Sequence, residues 1–250
     1  MNEPIKCYRM GGFDVREYAE TPSTNTLAES LSPGELHDRT VILTWRQTAG
    51  RGQVGNRWES APERNISMTV VLKPDALPAD RQFAVSMAVA LGCRDWVARY
   101  AEGVTVKWPN DIYVDDRKIG GILIEHRIAG NRIGMSLCGI GVNVNQEVFL
   151  SDAPNPVSLH QLTGRTFSLQ EALEELLGCL ARRFDRLNDY RALEHDFLDC
   201  LYRSEGVHVW RDAAGVFRAS LAGVDEYGQL RLRDEEGRER VYGFKEVTYL

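Results

Sequence analysis

The chain has 250 residues, of which 43% are apolar and 26% are charged, and its formal net charge at pH 7 is −6. These values are typical of a globular protein and exclude a disordered or fibrous chain, while the length allows one large domain or a medium domain with a small companion. The acidic balance argues against a protein that coats nucleic acid or an anionic membrane, because that affinity comes from Lys and Arg.

The sequence carries no signal for export, membrane insertion or metal binding. No run approaches the roughly 18–20 consecutive apolar residues of a membrane span, and the N-terminal segment lacks the apolar region of a signal peptide. The five cysteines are odd in number and no two have CxxC spacing, so neither a zinc site nor a disulfide framework is indicated. We therefore expect a cytoplasmic protein with reduced thiols.

Hydrophobic periodicity predicts strands and helices of an α+β domain, followed by a small all-β domain. Alternating or β-branched apolar runs predict strands over residues 13–20, 40–45, 65–73, 104–108 and 133–144, and a hairpin over residues 112–127. Apolar residues at helical spacing predict helices over residues 26–30, 79–100, 169–187 and 190–201. From residue 207 onward, five short alternating runs predict a small antiparallel barrel. The predicted domains are residues 1–202 and 203–250.

A glycine-rich loop follows the second predicted strand, where Gly50, Gly52 and Gly55 spell GxGxxG. A dinucleotide fold requires a helix to begin there, but the continuation over residues 56–62 has no helical periodicity. The lysine of a Walker loop and the HRD and DFG motifs of a protein kinase are also absent from the sequence. The loop is therefore either an ordinary surface turn or an anion site made of backbone N–H groups with Arg51 and Arg57.

A second constellation is the segment KWPNDIYVDDRKIGGILIE over residues 107–125. It places Lys107, Asp111 and Lys118 at or beside strand ends, and two glycines interrupt its apolar strand. Glycines inside a strand often mark a place where a ligand or another backbone comes close. The run GIGVNV over residues 139–144 has the same character. Each segment alone is compatible with a plain hairpin, but three such elements in one domain favour a shared pocket.

These segments together resemble the biotin protein ligase family, also called biotin–[acetyl-CoA-carboxylase] ligases. The resemblance extends over roughly residues 13–145 in order and spacing, and its most specific part is the segment over residues 107–125. The matching elements are Ser23-Thr24-Asn25, the run QTAGRG over residues 47–52, Trp58, residues 107–125 and GIGVNVN over residues 139–145. The resemblance implies an α+β catalytic domain with a mixed β-sheet and helices, like that of class II aminoacyl-tRNA synthetases, and a small SH3-like barrel at the C-terminus.

The implied activity has two steps. Biotin and ATP give biotinyl-5′-AMP and pyrophosphate with Mg²⁺, and biotin then passes to a lysine of a biotin carboxyl carrier domain. Because both reactants of the first step are anionic, fixed cations must offset their repulsion. By resemblance, Arg51 and Lys118 have this catalytic role. Asp111 is a third catalytic candidate that would orient the incoming lysine, accept its proton or help to bind Mg²⁺.

The resemblance also assigns binding residues. The biotin shell comprises Ser23, Thr24, Asn25, Gln47, Gly50, Arg51, Gly52, Lys118, Gly121 and Gly139. The ATP and adenylate shell comprises Arg51, Trp58, Lys118 and Asn143, with Trp58 stacked on adenine. Read without the resemblance, Trp58 is a core tryptophan and Lys118 a surface lysine of a hairpin. Asp115 and Asp116 are read as turn residues.

Three positions depart from the family pattern. Gln53 and Asn56 occupy places that are often basic in the family, and Leu250 stands where the family often has a phosphate-binding arginine. Arg57 and Lys245 are the candidate replacements. These departures leave open how the small domain contributes to ATP binding.

Other classes make different predictions. A lipoate or octanoate ligase shares the adenylation chemistry but has a shorter KxND signature. A repressor of the family requires a helix-turn-helix region of roughly 60 residues, whereas about 12 residues precede the first predicted strand, so we expect no DNA binding and no membrane partner. A non-catalytic biotin-binding protein would not need Arg51, Lys118 and Asp111. Homodimers through sheet edges occur in the family, and the sequence does not decide the oligomeric state.

Overall fold

An eight-stranded mixed sheet forms the centre of the computed structural model, which describes residues 3–53, 55–74, 76–151 and 153–250. The strands are β1 Lys6–Met10, β2 Phe13–Tyr18, β3 Thr40–Thr44, β4 Gly50–Arg51, β5 Arg57–Trp58, β6 Ile66–Leu72, β7 Val104–Lys107, β8 Asp111–Val114, β9 Arg117–Ala129, β10 Arg132–Val142, β11 Val207–Asp212, β12 Gly215–Val224, β13 Leu230–Asp234, β14 Glu239–Tyr242 and β15 Thr248–Tyr249. The helices are α1 Thr24–Ser30, α2 Phe83–Val97, α3 Leu159–Thr163, α4 Leu169–Phe184 and α5 Tyr190–Asp199, and a 3₁₀ turn, Ala79–Arg81, precedes α2.

The order of the large sheet is β1-β2-β3-β6-β10-β9-β8-β7. Only β2 and β3 pair in parallel, and every other ladder of this sheet is antiparallel. The strands β3 and β6 are buried at every position, as expected from their β-branched, continuously apolar sequences. The predicted α+β class with a mixed sheet is therefore confirmed.

The two faces of the sheet are covered differently. On one face, α2 packs against α4 and α5 over the main apolar core, which includes Trp96 and Phe197. On the other face, the short helix α1 covers a smaller core that includes Ile42, Val71 and Leu137. Because side chains alternate along a strand, the neighbours of Leu137 two and four residues along β10 face the α1 side. These positions are glycines, which leaves the sheet surface bare beside α1.

The last strands form a five-stranded antiparallel sheet of order β14-β13-β12-β11-β15. Its contact with the rest of the chain includes a hydrogen bond of 2.8 Å from Trp108 Nε1 to the Gly228 carbonyl oxygen. Tyr249 of β15 lies against Tyr202, and Lys107 Nζ lies 4.9 Å from the centre of the Tyr249 ring. The five strands thus occur as predicted, while the domain bounds at residues 1–202 and 203–250 and a closed SH3-like barrel remain predictions.

Some predicted elements require correction. The first strand is β1 rather than the strand at residue 13, and it lacks a clear pattern because it is a largely exposed edge strand. The helix predicted over residues 79–100 is a 3₁₀ turn followed by the shorter α2. The five-residue helix α3 was not predicted, although a capping box of Ser158 and Gln161 precedes it. In the described part of the chain, no helix has the length and apolarity needed to cross a bilayer.

The titration of His126 provides a test of the pairing between β9 and β10. It lies on β9 opposite Ser136 of β10, with its Nδ1 at 2.8 Å from Ser136 Oγ, and burial lowers its pKa below 6.5. A base with a depressed folded-state pKa is neutral in the folded chain while the unfolded chain takes up the proton. The free energy of unfolding is therefore unaffected by His126 above pH 6.5, where the residue is neutral in both states. It decreases as the pH falls below 6.5 towards the folded-state pKa.

We expect the free energy of unfolding to fall less between pH 7.5 and pH 5 in His126→Asn than in the wild type. Urea titrations at several pH values measure this difference. The matched control is His37→Asn at an exposed position, which should retain the pH dependence of the wild type. Parallel curves for wild type and His126→Asn would contradict the assignment.

Candidate active site

A cavity of about 170 Å³ opens on the face of the sheet that α1 covers. It brings together segments that lie far apart in the sequence. The predicted site residues that line it are Ser23, Thr24, Asn25, Gln47, Arg51, Gly52, Trp58, Asp111, Lys118, Gly121 and Gly139. Two predicted residues, Gly50 and Asn143, are not part of the lining. The lining also includes Gly141, Ile122 and Phe244, none of which was predicted.

The start of α1 forms the polar wall of the cavity. Ser23 is the N-cap of this helix, and its side chain accepts a hydrogen bond from the Thr26 backbone N–H. The Thr24 backbone N–H donates to Gln47 Oε1 at 3.0 Å, which joins the helix to the glycine-rich loop. Ser23, Thr24 and Asn25 are all buried. Capping residues placed at a sheet surface therefore present hydroxyl groups to the cavity.

Both polar atoms of the Asn25 side chain are hydrogen-bonded within the protein. Its Nδ2 donates to the Leu123 carbonyl oxygen at 3.1 Å and to Glu125 Oε2 at 2.7 Å. Its Oδ1 accepts from Thr69 Oγ1 at 2.6 Å. A Cβ atom at Gly139 would lie 2.4 Å from Asn25 Oδ1. The room that Gly139 provides is thus filled by the Asn25 amide.

The indole of Trp58 lies over a cross-strand glycine pair, in which Gly121 of β9 faces Gly141 of β10. A Cβ atom at Gly141 would lie 2.4 Å from Trp58 Cε2, and one at Gly121 would lie 3.2 Å from Trp58 Cζ3. The Trp58 Nε1 atom is buried and has no hydrogen-bond partner among the described residues. The sequence prediction missed Gly141, although its two-residue spacing from Gly139 places both on one face of the strand.

Gly50 supports the site from outside the cavity. A Cβ atom there would lie 2.4 Å from the Trp58 carbonyl oxygen and 2.8 Å from Gln47 Nε2. The strands β4 and β5 pair at this point, with Gly50 opposite Trp58. Gly50 therefore allows the two arms of the loop to approach, and this approach fixes the position of the Trp58 backbone.

Lys118 and Asp111 form an ion pair in the cavity. Lys118 Nζ lies 2.7 Å from Asp111 Oδ1, and the two side chains are 27% and 23% exposed. Lys118 Nζ also lies 5.9 Å from the centre of the Trp58 ring. Lys107 pairs with Asp111 across the β7–β8 hairpin, and burial lowers the pKa of Lys107 despite the nearby Asp111 carboxylate. Lys118 is therefore a partly buried charge of the cavity rather than a surface lysine of a hairpin.

Arg51 has its guanidinium group turned towards α1 and β9. Its Nη1 donates to Thr26 Oγ1 at 2.9 Å and lies 3.4 Å from Glu29 Oε2, and its Nη2 pairs with Glu125 Oε1. Glu125 was not singled out by the sequence analysis, because an acidic residue in a predicted anion site gave no recognisable signal. The charge of Arg51 is thus already balanced by two carboxylates in this structure.

Asn143 is buried and is not one of the residues that line the cavity. Its backbone N–H donates to the Ile119 carbonyl oxygen at 2.9 Å, and its Nδ2 donates to the Val157 carbonyl oxygen at 3.0 Å. Its Oδ1 is buried and has no hydrogen-bond partner among the described residues. Its predicted role towards the adenylate remains a prediction.

The structure places the three positions that depart from the family pattern and their two candidate replacements. Gln53, Asn56 and Arg57 all line the cavity. Leu250 ends the chain away from the lining, where its carbonyl oxygen accepts a hydrogen bond of 2.7 Å from Arg203 Nη1. Lys245 follows the lining residue Phe244, and its Nζ lies 5.7 Å from the centre of that ring.

The described residues contain no group of three His, Cys, Asp or Glu side chains that would hold a metal ion by themselves. Within the described part of the chain, Asp111 is the only carboxylate that lines the cavity. A divalent cation in this cavity would therefore depend mainly on oxygen atoms supplied by a substrate.

Comparisons with known proteins agree on one family. The family model described as biotin/lipoate A/B protein ligase matches residues 18–143. The biotin–[acetyl-CoA-carboxylase] ligase of Paracoccus denitrificans is 31% identical over 232 residues, which are 88% of this chain and 95% of that protein. The bifunctional ligase/repressor BirA of Bacillus spizizenii is 29% identical over 233 residues, which are 88% of this chain and 69% of that protein.

The fold has known counterparts as well. The structure of biotin protein ligase from Aquifex aeolicus in complex with biotin and ATP superposes with a TM-score of 0.77, over 94% of this chain and 97% of that chain. The sequence identity is 20%, so this likeness shows a common fold.

The glycine pair below Trp58 gives a direct test of the site. In Gly141→Ala the new Cβ atom would overlap the indole, so Trp58 must move and the free energy of unfolding should fall by about 1–3 kcal/mol. Urea unfolding and tryptophan fluorescence measure the two effects. The control is Gly178→Ala in α4, where the nearest atom is 3.9 Å away and a change of up to about 1 kcal/mol towards greater stability is expected. Equal behaviour of the two variants would contradict the arrangement.

Proposed function

Since the chain belongs to the biotin/lipoate A/B protein ligase family and is an enzyme of the biotin–protein ligase type, we propose that it activates biotin with ATP and transfers it to a protein lysine. The intermediate is biotinyl-5′-AMP, the first leaving group is pyrophosphate, and the acceptor is a biotin carboxyl carrier domain. The observation that carries the proposal is the Lys118–Asp111 ion pair beside Trp58, in the same cavity as the polar wall of α1.

In the first step, an oxygen of the biotin carboxylate forms a bond to the α-phosphorus of ATP, and the bond to the pyrophosphate oxygen breaks. Negative charge accumulates around the phosphorus, so a preorganised cation lowers the barrier. The Lys118 ammonium group has this role, because Asp111 holds it at 2.7 Å and its surroundings exclude most of the solvent. Arg51 is the second cation, and it must leave Glu29 and Glu125 before it can contact a phosphate.

Recognition of the biotin ring takes place at the polar wall. The ureido group offers one carbonyl acceptor and two N–H donors, and buried partners that stay unpaired would be costly. Ser23, Thr24 and Gln47 supply the partners, since these three side chains line the cavity. Asn25 contributes by holding the wall in place, because its own polar atoms are bonded to protein groups.

The adenine ring stacks on the indole of Trp58, which lies on the floor of the cavity over Gly121 and Gly141. The residues of the cavity fit the Mg²⁺ ion that accompanies a bound nucleotide. Such an ion is usually held by one or two carboxylates together with phosphate oxygens and water. Asp111 would be its protein ligand, and the ion would offset phosphate charge.

In the second step, a neutral lysine amine attacks the carbonyl carbon of the mixed anhydride, and AMP leaves. The amine gives up a proton in forming the amide. Among the described residues of the lining, Asp111 is the only carboxylate, so we assign it the positioning of the amine and the uptake of its proton. The cytoplasmic location, the absence of DNA binding and the SH3-like and synthetase-like architecture remain predictions of the sequence. A homodimer through sheet edges is an option that only the resemblance to the family suggests.

The proposal predicts biotin-dependent exchange between ATP and labelled pyrophosphate. The same assay with lipoate and octanoate should give no exchange above background. Absence of exchange with biotin, in a protein that is folded by circular dichroism, would contradict the proposed function.

Lys118→Ala should reduce the exchange rate by a factor on the order of 10² or more, because it removes a cation that acts on the transition state. Asp111→Asn should reduce transfer from preformed biotinyl-5′-AMP to the acceptor lysine more than exchange. The matched control is Lys73→Ala, whose Nζ donates to the Pro33 carbonyl oxygen outside the cavity. Full exchange activity in Lys118→Ala would contradict the assignment of Lys118 and leave the family intact.

Residues 50–53 and 55–64 of the glycine-rich loop should order over the adenylate and shield the anhydride from water. Trypsin cleavage after Arg51 and Arg57, followed by mass spectrometry, should then be slower with biotin and ATP present. Equal cleavage rates with and without the ligands would count against this closure.

A further inference from the structure

Glu125 contacts both Asn25 in the polar wall of the cavity and Arg51, the second cation of the site. It lies on β9, on the face that α1 covers, and its side chain is partly buried. Its Oε2 accepts from Asn25 Nδ2 at 2.7 Å, and its Oε1 pairs with Arg51 Nη2. A carboxylate accepts hydrogen bonds and donates none, so both neighbours must present N–H groups to it.

This requirement fixes the orientation of the Asn25 amide. Both acceptors that Nδ2 faces, Glu125 Oε2 and the Leu123 carbonyl oxygen, are on the same side of the amide. A flipped amide would direct Oδ1 towards two oxygen atoms, which is repulsive. The Asn25 Oδ1 atom is therefore held towards Thr69 Oγ1, at 2.6 Å.

The orientation of Asn25 then determines the direction of the next two hydrogen bonds. Thr69 Oγ1 lies 2.6 Å from Asn25 Oδ1 and 2.8 Å from Thr24 Oγ1. A hydroxyl group has one hydrogen, and an amide oxygen only accepts. The Thr69 hydrogen therefore points to Asn25, and the hydrogen of the 2.8 Å contact belongs to Thr24.

Among the described residues, Thr24 Oγ1 has one other side-chain acceptor, Gln47 Oε1, at the longer distance of 3.4 Å. That oxygen already accepts from the Thr24 backbone N–H at 3.0 Å. The contact with Thr69 is thus the better one for the Thr24 hydrogen. Thr24 Oγ1, in the lining of the cavity, retains a lone pair and no hydrogen for a ligand.

We propose that Glu125 is a positioning residue that sets the hydrogen-bond polarity of the pocket through Asn25 and Thr69. It makes Thr24 Oγ1 an acceptor, so the pocket selects a ligand that presents an N–H donor at this point, as a cyclic urea does. The inference rests on the proposed function, because it concerns recognition of the ureido group of biotin.

Two substitutions at Glu125 separate polarity from charge. Glu125→Met removes the acceptor, and we expect the Kd for biotin, measured by calorimetry without ATP, to rise on the order of 10-fold. Glu125→Gln removes the charge, but its amide oxygen still accepts from Asn25, so its Kd should stay within about threefold of the wild-type value. Equal losses in both variants would contradict the proposal, since they would indicate a role of the charge.

A double-mutant cycle tests the connection to Thr24. Thr24→Val removes the acceptor that the ligand uses, so adding Glu125→Met should raise the Kd little further, whereas independent structural effects would add. Additive losses would overturn the proposal. If Glu125→Met does not fold, Thr69→Val interrupts the same chain of bonds in its middle and should give the same loss and the same lack of additivity.

The matched control is Glu29→Gln, which removes the other carboxylate from Arg51 and leaves the partners of the Asn25 amide, Leu123, Glu125 and Thr69, unchanged. Its Kd for biotin should equal that of the wild type. A wild-type protein that does not bind biotin would contradict the proposed function itself. Binding by the wild type together with an unchanged Kd in Glu125→Met would contradict only the inference about Glu125.

Discussion

The site depends on the absence of side chains from one patch of the central sheet. The positions of Gly121, Gly139 and Gly141 face the same side of two neighbouring strands, and their missing Cβ atoms would all lie within 3.2 Å of other groups. Asn25 and Trp58 occupy this space. Because both side chains are anchored on the bare patch, the start of α1 and the glycine-rich loop meet over the same strands and enclose a cavity.

The two cations of the site, Lys118 and Arg51, are held in ion pairs with carboxylates, and an anionic substrate can replace those carboxylates. Lys118 is held by Asp111, and Arg51 is held by Glu29 and Glu125. Both cations are partly shielded from solvent, Lys118 more than Arg51, so carboxylate partners offset the cost of desolvating them until a phosphate takes their place. The polar wall is arranged in a similar way. Both polar atoms of the Asn25 side chain bond to protein groups, so ligand recognition depends on the hydroxyl groups beside it.

Much of the fold follows from local patterns, and the failures have physical causes. The buried strands β3 and β6 are predicted by continuous β-branched runs, and α2 by its apolar spacing. The edge strand β1 is stabilised by pairing with β2 rather than by burial, so its sequence carries little pattern. The helix α3 is five residues long, and its stability comes from its cap and from packing of Leu159 rather than from periodicity.

The sequence by itself determined the family, the mixed α+β class and about half of the residues that line the cavity, because the motifs carry the residue types that the chemistry needs. Only the tertiary structure decided which partner each group has. Gly139 makes room for the Asn25 amide, Gly141 makes room for the Trp58 indole, and Asn143 is not part of the lining. The role of Glu125 also depends on bonds between residues about a hundred positions apart. Such contacts are set by strand register and by the placement of α1 on the sheet, which no local pattern encodes.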